Sequence, residues 1–323
     1  MIGDISVIIP AFNSSYLSKA LASVYSQTLR PREILVVDSS PEITLPQIAD
    51  CPERVSYFFQ TPSGVSAARN FGIEKAKAKF VALLDADDIW LPKKLEKQLK
   101  LLENYPEVGF AFSTVWNLID DAEQCAISTE PFYPDALRKW IAANNQHEGA
   151  VSGWVYALLL EVNCVATSSL VIRRDVFEKI GYFDESLKNA EDYEIELRLA
   201  KHYPALFISE PTSRYRVHET GLSGAWARRS VLFYRTNLSA LEKHYRSFPS
   251  ISVKKALAQT RASYALYLLS IGESKLAAHH SWRSLGLYPS VRALKYYAEA
   301  NCPGGYRFLS SMLGNARRHA IRR

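Results

Sequence analysis

The first 120 residues contain short runs of apolar and β-branched residues, and amphipathic segments follow most of them. The runs are ISVIIPAF from Ile5, EILVVD from Glu33, VSYFFQ from Val55 and KFVALL from Lys79. Segments after the first, third and fourth runs repeat apolar residues at helical spacing. Strands that are apolar along their whole length are typical of parallel sheets with both faces covered. The pattern therefore predicts an α/β fold, with a mainly parallel sheet flanked by helices.

Later parts of the chain are predicted from weaker patterns. TSSLVIRR (residues 167–174) reads as a strand, and ALFISEP (205–211) reads as an edge strand. Two acidic residues open a helical pattern at EDYEIELRLA, from Glu191. From about Trp226 the segments are helical, with prolines between them.

Charge divides the chain into two parts. Residues 1–223 carry 22 Lys and Arg against 30 Asp and Glu, whereas residues 224–323 carry 17 against 3. We therefore expect two functional parts, residues 1–224 and a basic helical region over 225–323. Such a basic region is attracted to anionic surfaces.

Carboxylates follow the apolar runs directly. In FVALLDADDIW the run ends in Asp85, Asp87 and Asp88, and EILVVD ends in Asp38. Reactive groups of α/β sheets gather beyond the carboxyl ends of the strands. Carboxylates two residues apart in a turn can converge on one hard divalent cation. The alternative is a helix N-cap cluster; the strand–DxD–helix context favours the metal, with Asp88 as a capping residue.

Several function classes lose support. No GxGxxG follows the first strand and no GxxxxGK[ST] occurs, which disfavours dinucleotide and P-loop folds. Asp38 could accept hydrogen bonds from a base or ribose, or cap its own loop.

No apolar segment is long enough to span a membrane, and no secretory signal is expected. The chain has four cysteines, Cys51, Cys125, Cys164 and Cys302. Their positions do not have the spacing of metal ligands, which favours reduced thiols in a cytosolic compartment.

A series of motifs resembles the family 2 glycosyltransferases of the GT-A fold. In order, they are VIIPAFN, SVYSQTLRPREILVVDSS, SGVSAARNFGI, FVALLDADDIWLPKKLEKQ, SSLVIRRDVFEKIGYFDESL, EDYEIELRLA and YRVHETGLS. They cover roughly residues 4 to 224. The resemblance implies a nucleotide-diphospho-sugar transferase with a Rossmann-like sheet and a catalytic domain over residues 1–224. It leaves the helical appendage unassigned.

The resemblance also implies roles for the acidic turn and the first strands. Asp85 and Asp87 are similar to the DxD that holds Mn²⁺ or Mg²⁺ against the donor diphosphate, with Asp87 as the direct ligand. Pro10, Phe12 and Asp38 match positions that border the nucleotide. Many relatives have a second Asp after the one at Asp38, which contacts uracil. Here that position is a serine, in VVDSSP, so UDP, dTDP and GDP sugars all remain open.

Four further positions match functional ones. Arg69 matches an arginine near the donor, although a loop-stabilising salt bridge is the alternative. Asp192 matches the catalytic base, with Glu191 beside it, although an acid in a first helical turn is favourable in itself. His218 resembles a loop residue near the metal or diphosphate, and Arg216 is a candidate phosphate partner; a solvated histidine is the alternative.

The implied reaction is a single displacement with inversion. The acceptor would be a saccharide or a lipid-linked molecule, in polysaccharide or glycoconjugate biosynthesis. We expect a cytoplasmic protein, peripheral at the inner face of the membrane through its basic region. One alternative is a sugar-nucleotide pyrophosphorylase, but this sequence lacks the Gly-rich loop that such enzymes usually have. Another is a nucleic-acid-binding protein, but the sequence contains no recognised nucleic-acid-binding motif.

Overall fold

The computed structural model describes residues 2–41, 55–119, 126–127, 134–147, 149–187, 189–217 and 226–302. The chain forms two compact units, Met1–Gly224 and Ala225–Arg323. The first unit contains the strands and seven of the described helices, and the second is helical.

A single mixed sheet forms the centre of the first unit. Its strands are β1 Ile2–Ala11, β2 Arg30–Asp38, β3 Val55–Phe59, β4 Phe80–Leu83, β5 Ile89–Trp90, β6 Phe110–Ile119, β7 Ala126–Ile127, β8 Asn145–His147, β9 Ala150–Gly153, β10 Val171–Arg173 and β11 Ala205–Val217. The main order is β3-β2-β1-β4-β10-β6-β11-β9-β8, with β5 on β11 and β7 on β6. The first four strands are parallel, as are β6 and β11, whereas β10 runs antiparallel between β4 and β6.

Helices flank this sheet. They are α1 Leu17–Tyr25, α2 Val65–Lys75, α3 Lys94–Asn104, α4 Asp135–Ala143, α5 Tyr156–Glu161, α6 Val176–Ile180 and α7 Glu191–His202. On β1, Val7 and Ile9 join a buried cluster with residues of α1 and α3. Ile8 faces α2, so closely that a Cβ on Gly72 would lie 2.5 Å from its Cγ2. Both faces of β1 are therefore buried, and the predicted mainly parallel α/β architecture is confirmed.

Some predicted elements differ from those observed. The predicted edge strand 205–211 is the start of β11, which lies inside the sheet between β6 and β9. The predicted strand 167–174 divides into a 3₁₀ turn, Thr167–Ser169, and the short strand β10. Asp88 does not cap α3, because that helix begins at Lys94 and receives no side-chain cap. Strand pairing and turns of this kind depend on residues distant in sequence.

The second unit is a series of helices. They are α8 Trp226–Ser247, α9 Ile251–Ser270, α10 Ser274–Leu287 and α11 Val291–Asn301. Ser250 and Ser290 cap α9 and α11 by accepting hydrogen bonds from the backbone N–H three residues later. Over the described ranges, no helix has the length and apolarity that a membrane crossing requires.

Candidate functional site

Three parallel strands end at the same edge of the sheet. Ala11 of β1 pairs with Asp38 of β2, and Ile8 of β1 pairs with Leu83 of β4. The residues that follow these strands therefore lie near one another, which brings Phe12, Asp38 and Asp85 to one edge. The ring of Phe12 projects from this edge and is 58% exposed.

The acidic turn after β4 is held by hydrogen bonds to its backbone. Arg216 Nε donates to the carbonyl of Asp87 at 2.8 Å, and Ser14 Oγ donates to the carbonyl of Ala86 at 3.1 Å. The backbone N–H of Asp85 donates to Ser168 Oγ at 3.1 Å. Asp85 and Asp87 both remain partly exposed. The turn is therefore fixed while both side chains stay accessible.

Asp88 is the structural member of this turn. Its side chain is buried and accepts hydrogen bonds from Ser168 Oγ at 2.6 Å and from the backbone N–H of Arg216 at 2.8 Å. Burial, followed by the nearby charges of Asp87 and Asp85, raises the pKa of the Asp88 carboxyl well above its usual range. Asp88 therefore supports the turn through its hydrogen bonds, and the raised pKa favours its neutral form.

Arg69 of α2 joins the acidic turn to the start of α7. Its Nη2 donates to Asp85 Oδ1 at 2.8 Å, and its Nη1 donates to Glu191 Oε1 at 2.9 Å. The Arg69 side chain is only 4% exposed. Burial lowers the pKa of its guanidinium, but the charges of Asp85 and Glu191 outweigh burial and raise the pKa overall. Arg69 therefore carries its full positive charge between two carboxylates.

Asp192 follows Glu191 in the first turn of α7. It is partly exposed, and its Oδ1 accepts a hydrogen bond from the backbone N–H of Tyr193 at 2.7 Å. Burial raises the pKa of the Asp192 carboxyl, and the charge of Arg69 partly opposes this. A carboxylate with a raised pKa is a better proton acceptor than an ordinary aspartate. Asp192 thus combines access to solvent with increased basicity.

Asp38 is engaged within the protein. It is fully buried, and its carboxylate accepts hydrogen bonds from the backbone N–H of Ser40 at 2.8 Å, from Ser40 Oγ and from Tyr57 Oη. Ser39 Oγ accepts a hydrogen bond from Gln60 Nε2 at 2.9 Å. These contacts shape the loop after β2, which is the role of a loop cap.

The remaining predicted positions are placed as follows. Pro10 is buried within β1, where it pairs with Val37. The guanidinium of Arg216 lies over the ring of Tyr16, 4.3 Å from its centroid. His218 lies outside the described residues.

Two residues of this region were not identified from the sequence. Ser168 contacts both Asp85 and Asp88, yet it lies about 80 residues away; the available signal was its place at the start of the motif SSLVIRRDVFEKIGYFDESL. Glu196, one turn after Asp192, is buried, and within the described residues neither of its carboxylate oxygens has a hydrogen-bond partner. Burial, followed by the charge of Asp192, raises the pKa of the Glu196 carboxyl well above its usual range. An acid amid apolar helix residues was the available signal for Glu196.

Comparison with known proteins identifies the domain. Residues 6–150 match the family model described as Glycosyl transferase family 2. The chain therefore carries a family 2 glycosyltransferase domain. The relatives of this glycosyltransferase domain include the uncharacterized glycosyltransferase RP339 of Rickettsia prowazekii, 25% identical over 84% of this chain and 81% of that protein.

Other relatives are longer than the matched region. RT0329 of Rickettsia typhi is 27% identical over 67% of this chain and 64% of that protein. RC0461 of Rickettsia conorii is 30% identical over 66% of this chain, and the aligned region spans only 33% of RC0461. Both are named as uncharacterized glycosyltransferases. The likeness therefore concerns the glycosyltransferase domain and not the whole of these relatives.

Solved structures share the fold. S. aureus TarS 1–349 aligns with a TM-score of 0.62 and 16% identity, over 97% of this chain and 91% of that chain. The structure of TarS 1–349 in complex with UDP aligns with a TM-score of 0.60 and 18% identity over the same shares. The glycosyltransferase domain thus has the GT-A fold implied by its motifs.

The acidic turn of this domain is chemically suited to a divalent cation. Oxygen ligands suit Mg²⁺ and Mn²⁺, and two partly exposed carboxylates are present, on Asp85 and Asp87. Burial raises the pKa of Asp88, and the charges of Asp87 and Asp85 add to this increase; the same two charges favour a cation. Across the described ranges, no three His, Cys, Asp or Glu side chains are grouped to hold a metal. A cation here would need additional oxygen ligands from its substrate or from water.

Proposed function

We propose that the protein transfers a sugar from a nucleoside-diphosphate sugar to an acceptor hydroxyl, with inversion at the anomeric carbon. The supporting observation is the position of Arg69, which contacts both Asp85 and Glu191. Through this arginine, the turn suited to a metal and the basic carboxylate of Asp192 belong to one site. A glycosyl transfer of this kind needs both parts, because one assists the leaving group and the other activates the acceptor.

The donor would lie along the carboxyl edge of the sheet. The exposed ring of Phe12 offers a surface against which a nucleotide base can stack. TarS structures in complex with UDP and with UDP-GlcNAc support a nucleotide-sugar donor. The base contact differs from the usual one, because Asp38 is buried and Ser39 already accepts from Gln60. The base of a uridine donor would stack on Phe12.

The leaving group requires compensation of its charge. When bound, Mn²⁺ or Mg²⁺ supplies positive charge against the diphosphate, and Asp85 and Asp87 would hold it, with His218 as a further candidate ligand. Arg69 orients Asp85 through its hydrogen bond to Oδ1. Arg216 and Ser14 keep the turn in place through its carbonyls.

Asp192 acts on the acceptor. Its carboxylate takes the proton from the acceptor hydroxyl while that oxygen forms a bond to the anomeric carbon. The bond from the anomeric carbon to the diphosphate oxygen breaks, and its electrons leave with the nucleoside diphosphate. Attack from the side opposite the leaving group inverts the configuration. The raised pKa of Asp192, caused mainly by burial, supports this role.

The acceptor is a saccharide or a lipid-linked molecule, within polysaccharide or glycoconjugate biosynthesis. A lipid-linked acceptor agrees with the basic second unit, whose charge favours a peripheral position at the inner face of the cytoplasmic membrane.

An Asp192→Asn variant tests the assignment. We expect it to lose transfer by at least about a thousandfold while its affinity for the donor changes less than about twofold, because only the proton acceptor is removed. Donor binding is measured by calorimetry with UDP-sugars, dTDP-sugars and GDP-sugars in the presence of Mn²⁺. Equal losses of binding and transfer would contradict the role of Asp192. Release of pyrophosphate in place of a nucleoside diphosphate would instead indicate a pyrophosphorylase.

A further inference from the structure

The second unit exposes aromatic and aliphatic side chains on α10 and α11. Trp282 is 63% exposed, and its ring lies against that of Tyr297, with 5.6 Å between centroids. Leu294, one turn before Tyr297 on α11, is 50% exposed, and Leu276 on α10 is 49% exposed. We name this surface the Trp282 face, formed by Leu276, Trp282, Leu294 and Tyr297.

The geometry of α10 accounts for the Trp282 face. Its buried residues are small and follow helical spacing, at Ala277, Ser281 and Ser284. These small side chains form the packed side of the helix, and Ser284 Oγ donates to the carbonyl of Ala258 on α9 at 2.7 Å. At 100° per residue, Trp282 falls on the opposite side. The large apolar residue therefore points away from the core of its own unit.

Basic residues flank the Trp282 face. Lys275 and Arg283 are exposed on the same side of α10, and the helix contains no acidic residue. Over residues 226–302 there are 12 Lys and Arg against 3 Asp and Glu. One of these acids, Glu242, is paired with Arg261. The charge around the face is thus strongly positive, and it complements an anionic partner.

The combination of residues identifies the kind of partner. Tryptophan and tyrosine favour the boundary between lipid headgroups and acyl chains, and Lys and Arg reach from there to the phosphates. A single-stranded nucleic acid could stack on Trp282 and Tyr297, but it offers no apolar layer for Leu276 and Leu294. An anionic bilayer satisfies both the apolar and the basic residues.

We propose that the Trp282 face docks on an anionic lipid surface. Trp282 and Leu294 enter the boundary of headgroups and acyl chains, while Lys275 and Arg283 contact lipid phosphates. The contact is peripheral. Its benefit to catalysis rests on the proposed function, because a lipid-linked acceptor would be presented at the same surface; docking itself requires no transferase activity.

Co-sedimentation of the full chain with vesicles tests the proposal. One set of vesicles is phosphatidylcholine alone, and the other is an equal mixture of phosphatidylcholine and phosphatidylglycerol. We expect binding to the mixed vesicles only, and weaker binding as salt is raised. Trp282→Ala should weaken the binding roughly tenfold, because the largest apolar group is lost. Lys275→Gln and Arg283→Gln should each weaken it about fivefold.

A matched control is Leu266→Ala on α9, which removes an exposed aliphatic residue outside the Trp282 face. It should bind like the parent chain. Trp282→Tyr should retain most of the binding, and circular dichroism reports whether each variant is folded. Equal binding to neutral vesicles, or unchanged binding of folded Trp282→Ala, would overturn the proposal. Retention by single-stranded RNA in preference to vesicles would also overturn it.

The same samples distinguish this proposal from the proposed function. Hydrolysis of a nucleotide-sugar donor in the absence of acceptor reports on the glycosyltransferase site, and Trp282→Ala should leave it unchanged. A chain that binds anionic vesicles but shows neither donor hydrolysis nor transfer would refute the proposed function alone.

Discussion

Removal of the Arg69 charge should separate the acidic turn from the start of α7. Arg69→Met keeps much of the apolar stem and deletes the guanidinium. In the native protein that group satisfies Glu191 and Asp85, whose side chains are 8% and 28% exposed. The variant leaves Glu191 buried beside Asp192 without its cation. We expect the pKa of Glu191, which burial and Asp192 already raise, to rise further, because Arg69 opposes that increase.

The size of the effect follows from the burial of the partners. Removing one member of a buried ion pair costs about 3–5 kcal/mol. Asp85 is partly solvated, so the lower end applies, and we expect a loss of about 3 kcal/mol. A domain of this size loses about 2–4 °C in Tm for each kcal/mol, which predicts a decrease of roughly 6–12 °C.

Thermal unfolding measures this loss, and Arg32→Met is the matched control. Arg32 pairs with Asp4 at 3.1 Å, but the two side chains are 54% and 49% exposed. Its removal should cost less than about 1 kcal/mol. The double variant Arg69→Met/Glu191→Gln should lose less than the sum of the single variants, with a coupling of about 1–3 kcal/mol. Additive losses, or equal losses for Arg69 and Arg32, would refute the connecting role of Arg69.

Activity distinguishes positioning from stability alone. Arg69→Lys retains one charge but cannot donate to both carboxylates through a planar fork. We expect it to remain folded at assay temperature with kcat reduced roughly tenfold or more and with little change in the donor KM, because Asp85 and α7 lose their fixed relation. A folded Arg69→Lys with the kcat of the parent would contradict this.

Two further predictions concern single carboxylates. Burial raises the pKa of Glu196 in the folded state above the usual value that it has in the unfolded state. The native state therefore loses stability as pH rises from the usual pKa of a glutamate to the raised pKa of Glu196. Glu196→Gln should therefore be more stable than the parent at pH 8, with the advantage disappearing near pH 4 in thermal melts; a pH-independent difference would be inconsistent with this. Asp87→Asn should lose the increase in Tm that Mn²⁺ and a nucleotide sugar give the parent chain, and an undiminished increase would argue against Asp87 as a ligand.

Local sequence patterns were sufficient for the architecture and for part of the site. Runs that are apolar along their whole length predicted the parallel strands. The position of Asp85 and Asp87 after β4 follows from the place where the apolar run ends. The acidic start of α7, at Glu191 and Asp192, was also evident from neighbouring residues. Such features are set by residues a few positions apart, and the resemblance to the family implies their roles, which stay predictions.

Only the tertiary structure decided which side chains are paired. Asp88 is bound by Ser168 and Arg216, which lie 80 and 128 residues away, and so it supports the turn without capping α3. Arg69 meets Glu191 across 122 residues, so it forms an ion pair, while its contact with the donor stays a prediction. Hydrogen bonds and charges act over a few ångströms in space, and sequence spacing does not measure that distance. Folding determines which charges are neutralised, and therefore which carboxylates remain for chemistry.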